Sequence, residues 1–264
     1  MRYPVTLFFA TILLVSGSGW LVPARAQVPE QTIAMNVPPD LESSQISVKV
    51  TPGLTHTNRL PTKALRKARK DMVEGLEIPV ADLRALADHG DGLAAQKYVR
   101  LLLAQVPEAS ASDIAYYGSI AVSTGRVWSL RDAVEAMSRL DPATEPAARK
   151  KTYVAMLYPH AWAGNSLALD AVIDLNGEGK LFGDLSEKTR QKILDQDAKN
   201  GDGRGALRLA LILLQKPEKT AEDDALVRDY LGRALAGDNL AVRATAANLL
   251  EILKDDETAA VQTQ

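Results

Sequence analysis

The chain has 264 residues, with 31 Lys and Arg against 33 Asp and Glu, and it contains no cysteine. This balance excludes a strongly basic nucleic-acid-binding domain. The missing cysteine excludes disulfides and a lipid-modified cysteine anchor, so a secreted form would be stabilised by burial alone, which a chain of this length can supply.

Arg2 gives a basic start, Val5 to Val15 is almost wholly apolar, and Pro23-Ala24-Arg25-Ala26 closes the segment. Ala24 and Ala26 occupy the −3 and −1 positions of a small-residue cleavage site, which predicts a signal peptide over residues 1–26 and a periplasmic protein. The apolar run is short against the ~20 residues of a membrane span. The alternative is an uncleaved inner-membrane anchor, because no charge falls between Arg2 and Arg25. Taking 26 residues from 264 leaves 238, and losing Arg2 and Arg25 leaves 29 bases against 33 acids, a net charge of −4.

Residues 27–61 carry Pro29, Pro38, Pro39, Pro52 and Pro61 among Ser, Thr, Gln and Asn, without helical period, and read as a disordered tether. Ile46 to Val50 alternates apolar and polar, so it could add a strand to a partner's edge, but an extended linker is the preferred reading. On this reading, deleting residues 27–60 leaves folding intact.

Lys63 opens a stretch rich in Ala, Leu, Lys, Arg and Glu. Lys63, Arg66, Lys67, Arg69 and Lys70 give the first helix a basic face opposite Ala64, Leu65, Ala68, Met72 and Val73. That face offers a contact for an anionic glycan, a membrane surface or an acidic protein; a solvated face is the plainer reading.

Internal repeats follow. Gly90, Gly125, Gly164, Gly201 and Gly237 are 35, 39, 37 and 36 residues apart. Three residues before each stands Ala87, Val122, Ala161, Ala198 or Ala234, and four after comes Ala94, Ser129, Ala168, Gly205 or Ala241. Glycine past a helix end adopts the left-handed conformation that closes the helix, and the polar residue after it (Asp91, Arg126, Asn165, Asp202, Asp238) is placed to cap the next one. Each glycine therefore marks a tight turn between two antiparallel helices, and ~36 residues suit one helix pair with its two turns. Helix starts are also signalled at Pro79, at Ser110 to Asp113, at the capping box Asp184-Leu185-Ser186-Glu187 and at Thr220 to Asp223. Pro159 should break or kink its helix before Trp162. Residues 62–255 form the predicted array and 256–264 a flexible tail.

The A-x-x-G-D/N-x-x-A core, best in Ala87 to Ala94, Ala161 to Ala168 and Ala234 to Ala241, resembles the Sel1-like repeat, a relative of the tetratricopeptide repeat. Asn176 to Asp184 is similar to that family's G-x-G-V-x-x-D loop with one residue inserted. The resemblance implies an all-α solenoid of αα-hairpins wound as a right-handed superhelix, with a grooved surface for proteins or peptides. Exported Sel1-like proteins include exopolysaccharide assembly scaffolds and an inhibitor of an envelope sensor kinase.

Catalytic motifs are not found. His56, His89 and His160 lack metal-ligand partners at helical spacing. Asp195 to Gly203 fails as a calcium loop, because Lys199 and Asn200 take the places of a ligand and of the required glycine. Gly201, Gly203 and Gly205 follow no strand and precede no Lys-Ser/Thr, and Gly118-Ser119 lacks the flanking glycine of a nucleophile elbow. The expectation is a binding protein with no enzymatic activity, catalytic residue, metal or cofactor, whose partner is an envelope or periplasmic protein. Besides Arg66, Lys67 and Lys70, the candidate contact residues are Tyr98, Tyr116, Tyr117, Trp128, Tyr158 and Trp162, since eight of the nine aromatics after residue 26 lie between Tyr98 and Phe182. Core packing is the alternative for these rings. A glycan- or peptidoglycan-binding accessory protein, or a cell-wall enzyme, is the alternative function, and Trp128 and Trp162 exposed on one groove would favour the glycan reading.

Overall fold

The computed structural model describes residues 48–104 and 110–262, with side chains to Lys254. The predicted signal peptide and residues 27–47 lie outside the described residues. The described chain is all-helical: α1 (Lys63–Val73), α2 (Val80–Asp88), α3 (Gly92–Ala104), α4 (Ala111–Ser123), α5 (Leu130–Met137), α6 (Ala147–Trp162), α7 (Ser166–Leu175), α8 (Glu187–Asn200), α9 (Arg204–Leu214), α10 (Ala221–Leu235) and α11 (Leu240–Gln262). No strand occurs among the described residues, and no helix there is long and apolar enough to cross a membrane.

Each of the five glycines falls between two helices that pack on each other: α2 and α3, α4 and α5, α6 and α7, α8 and α9, α10 and α11. Contacts also skip one helix, α4 to α6, α5 to α7, α6 to α8, α7 to α9 and α9 to α11. One continuous apolar core runs from Leu60 to Ala246. Helix α9, Arg-Gly-Ala-Leu-Arg-Leu-Ala-Leu-Ile-Leu-Leu, is apolar on most sides because α7, α8, α10 and α11 all pack against it.

Gly90, Gly125, Gly164 and Gly201 have φ of 79°, 96°, 96° and 77°, the left-handed conformation their positions require. Gly237 does not adopt it. A Cβ there would lie 2.9 Å from the Asp202 backbone, so close approach of the fourth and fifth turns is what demands glycine. The polar residue after the glycine accepts a free N–H of the next helix at three of the five predicted places, at one of which Asp202 Oδ1 accepts from Arg204 N–H at 3.0 Å. Asp91 Oδ1 accepts from the Leu93 and Ala94 N–H groups, and Asn165 Oδ1 from Ala168 N–H. In the fifth pair Asn239, one residue later than expected, caps α11. In the fourth pair Asp197 reaches back from α8, taking the Gly205 and Ala206 N–H groups at 2.7 and 3.0 Å. Thr220 and Asp223 form the reciprocal box that opens α10, worth ~1 kcal/mol.

Three boundaries differ from the sequence reading. Residues 48–61 are not a loose tether. Thr51 N–H donates to Ser123 O at 2.7 Å and Leu54 N–H to Gly90 O at 2.9 Å, while the Leu60 side chain is fully buried. This strap crosses the glycine turns of the first two helix pairs, so its deletion would uncover core. Pro159 does not break its helix: α6 runs on to Trp162, because a proline in the last turn removes a single helical hydrogen bond. Helix α11 continues through Gln262, beyond the expected limit of the array at residue 255.

Candidate functional site

The aromatic band divides into buried rings and half-buried or exposed ones. Tyr98 and Tyr117 are buried, with ring centroids 4.9 Å apart, and are removed from the candidate contact surface by burial. The Tyr117 hydroxyl donates to Asp88 Oδ1 at 2.7 Å and accepts from Arg84 Nε; burial pushes it up to about 12. Tyr116 is half-buried beneath the Arg149 guanidinium, 4.6 Å from its ring centroid. Tyr153, also buried, donates to Glu145 Oε1 at 2.6 Å. Trp128 is 57% exposed and joins none of the ring contacts among the described residues. Trp162 is half-buried, edge-on to Tyr158 and covered by Lys192. The two tryptophans therefore differ in setting, one open and one packed.

The basic helix is engaged within the chain at four of its five positions. Arg69 donates from Nε to Asp91 Oδ2 at 2.7 Å and from Nη2 to Leu54 O, joining α1, the strap and the cap of α3. Arg66 Nε donates to Leu60 O. Lys67 and Lys70 pair with Asp71 and Glu74, one helical turn on. Arg66 and Arg69 act as structural clamps, while the two lysines are exposed pairs that contribute little to stability.

A cleft with a volume of about 620 Å³ lies elsewhere among the described residues. Its floor is Ile173, Leu209, Leu213 and Tyr230, and Ile212, 37% exposed, stands in it as an uncovered apolar side chain. Glu178, Lys180 and Asp184 line the rim from the loop between α7 and α8, facing Arg190 and Lys216. The loop is built to hold its shape. Gly177 N–H donates to Gly183 O at 2.7 Å, Phe182 N–H to Leu175 O at 2.9 Å, and Asn176 Nδ2 to Val172 O at 2.7 Å. Tyr158 hydrogen-bonds Asn176 and packs edge-on against Phe182, and Leu181 is buried beneath. Tyr158, a candidate contact residue, thus clamps this loop from behind.

Several rim charges are already paired. Arg208 grips Asp170 and Asp174 at 2.9 and 2.6 Å, Arg190 pairs with Glu187, and Lys216 with Asp223 at 2.6 Å. Partial burial pushes the Asp174 carboxyl up against the pull of Arg208, whereas the Lys216 ammonium and Thr220 N–H hold Asp223 down at about 2. Glu178, Lys180 and Asp184 join no ion pair among the described residues, which leaves both signs of charge available beside an apolar floor. Such a surface suits a polypeptide segment carrying an apolar anchor between polar groups.

No family model, curated protein or solved structure matches this chain. No residue lining the cleft is among the candidate contact residues; Tyr158, which is one of them, only braces the loop behind it. The available signal was the loop itself, inserted once among the repeats with three glycines and charges of both signs.

Proposed function

We propose that the protein is an exported, non-catalytic interaction module: a Sel1- or tetratricopeptide-like solenoid of αα-hairpins that binds a segment of an envelope or periplasmic protein. Regulation of envelope signalling or polysaccharide export is the setting the family resemblance suggests. The repeated glycine turns and the helix-skipping contacts support the repeat reading, since a helix pair cannot bury its apolar face alone and gains both core and surface by stacking. The observation that carries the binding reading is the 620 Å³ cleft, with Ile212 uncovered between Glu178, Lys180 and Lys216 on a braced loop. The apolar residue supplies affinity and the mixed rim supplies orientation.

The test is in-cell crosslinking and affinity capture of the tagged full chain beside its Ile212→Glu variant, with mass spectrometry of the captured material. One envelope protein, recovered in near-equal amount with the parent chain and lost with the variant, is the expected result. Capture that is equal for both chains would contradict binding through the cleft. Recovery of glycan or murein fragments alone would replace the protein partner with a carbohydrate.

A further inference from the structure

The strap is held unevenly along its length. From Leu54 onward it is anchored several times: Leu54 N–H donates to Gly90 O at 2.9 Å, Arg69 Nη2 donates to Leu54 O, Arg66 Nε donates to Leu60 O, and the Leu60 side chain is buried. Before Gly53, the hold among the described residues is one backbone bond, from Thr51 N–H to Ser123 O at 2.7 Å. Lys49 and Val50 are exposed there. Gly53, at φ 58°, separates the two parts, and its freedom of conformation lets one move without the other.

Val48 to Thr51 cover His160. With it they enclose a narrow space of about 40 Å³, lined also by Val122 and Ser123 of α4 and by Ala155, Met156 and Pro159 of α6. His160 is only 5% exposed, yet its imidazole joins no hydrogen bond among the described residues. No carboxylate is among the described residues that line the space, and the one charged group there is the Lys49 ammonium. The other elements packed on α6 have their charges engaged elsewhere. Asp113 of α4 pairs with Arg149, Asp170 and Asp174 of α7 with Arg208, while Lys192 of α8 lies over Trp162 and Asp197 of α8 caps α9. Burial alone shifts the imidazole, and it shifts it toward the neutral form.

A neutral ring is tolerated in this setting, but an imidazolium is a buried charge with no acceptor and a cation for a neighbour. Lifting Val48 to Thr51 hydrates the charged ring at the expense of one backbone hydrogen bond and the contacts of the half-buried Val48. We propose that residues 48–53 are an acid-released latch: protonation of His160 detaches them from the junction of α4 and α6, while Leu54 to Leu60 and the helices stay in place. Release uncovers Ser123 O and the edge beside the second glycine turn, so acid changes this surface without unfolding the chain. The direction follows from linkage. The detached form, with its imidazole in water, binds the proton more readily, so its share is smallest above pH 6.5 and grows as the pH falls toward the lowered value.

The absence of cysteine allows a clean test. In the full chain, nitroxide labels are attached to Val50→Cys and to Lys151→Cys on the exposed side of α6, and the distances between them are measured by electron spin resonance at pH 7 and pH 5. One narrow distance is expected at pH 7. At pH 5 a second, broad population should appear, at least about threefold more abundant than at pH 7, with the helical circular dichroism unchanged. His160→Gln should keep the narrow distance at both pH values. Lys49→Glu, at an exposed position outside the core, gives the imidazolium a carboxylate and should lower the broad population at pH 5 at least about twofold. The same distances at both pH values would overturn the latch, as would equal broadening in the parent, His160→Gln and Lys49→Glu chains. Broadening that coincides with loss of the helical signal would overturn local release.

Discussion

Asp91 shows how much one side chain holds at the residue scale. Its Oδ1 takes the Leu93 and Ala94 N–H groups at 3.0 Å, and its Oδ2 takes Arg69 Nε at 2.7 Å, in a setting where Asp91 is buried. Asp91→Ala removes a helix cap and leaves a largely buried guanidinium without its carboxylate, and should cost about 3 kcal/mol in urea unfolding. Asp91→Asn keeps the cap and should cost about half of that; equal losses would contradict the capping role. His160 gives a pH dependence. Its imidazole is buried among Val48 to Thr51 and α4, Lys49 is the only charged residue lining that space among the described residues, and burial lowers its pKa below the ordinary 6.5. The unfolded chain then binds the proton more readily, so stability conferred by neutral His160 is full above pH 6.5 and is lost as the pH falls toward the lowered value. Melting temperature should drop from pH 7 to pH 5 in the parent chain and less in His160→Gln; identical drops would remove His160 from the cause.

The strap is the element whose removal separates the two readings of residues 48–61. A tether leaves stability unchanged when deleted, but Leu60 alone withdraws an apolar side chain worth ~2 kcal/mol, and Arg69 loses its Leu54 carbonyl. A chain beginning at residue 62 should therefore unfold several kcal/mol more easily than one beginning at residue 48. Equal midpoints would restore the tether. The glycine turns were legible in the sequence because each rests on a few neighbouring residues: a left-handed glycine, a capping side chain, a small residue where backbones meet. The strap was illegible for a physical reason. Apart from Leu60, it is held mainly through its backbone, by the Thr51 and Leu54 N–H groups and the Leu54 and Leu60 carbonyls, and such bonds leave no periodic signature in side chains. The aromatic band misled because Tyr98 and Tyr117 have the same composition whether they fill a core or line a groove, and only packing partners distinguish the two. Ile212 was hidden in the run Leu211 to Leu214, where nothing local tells which member α7 and α10 leave uncovered.

Over the whole molecule, the five turns gather along one edge with the strap across the first of them, and the large cleft opens near the α7–α8 loop, away from the strap's own contacts. Folding and the proposed binding thus fall on different residues, so Ile212→Glu should leave the unfolding midpoint within about 0.5 kcal/mol of the parent, as expected for an exposed position. Whether the cleft touches a partner decides the proposed function most directly. A photo-crosslinking residue placed at Ile212 in living cells, beside the same residue at the exposed Val73 in α1, measures this. Adducts to one envelope protein from position 212 and none from position 73 are the predicted result. Adducts from both positions alike, or from neither, would contradict a binding cleft at Ile212.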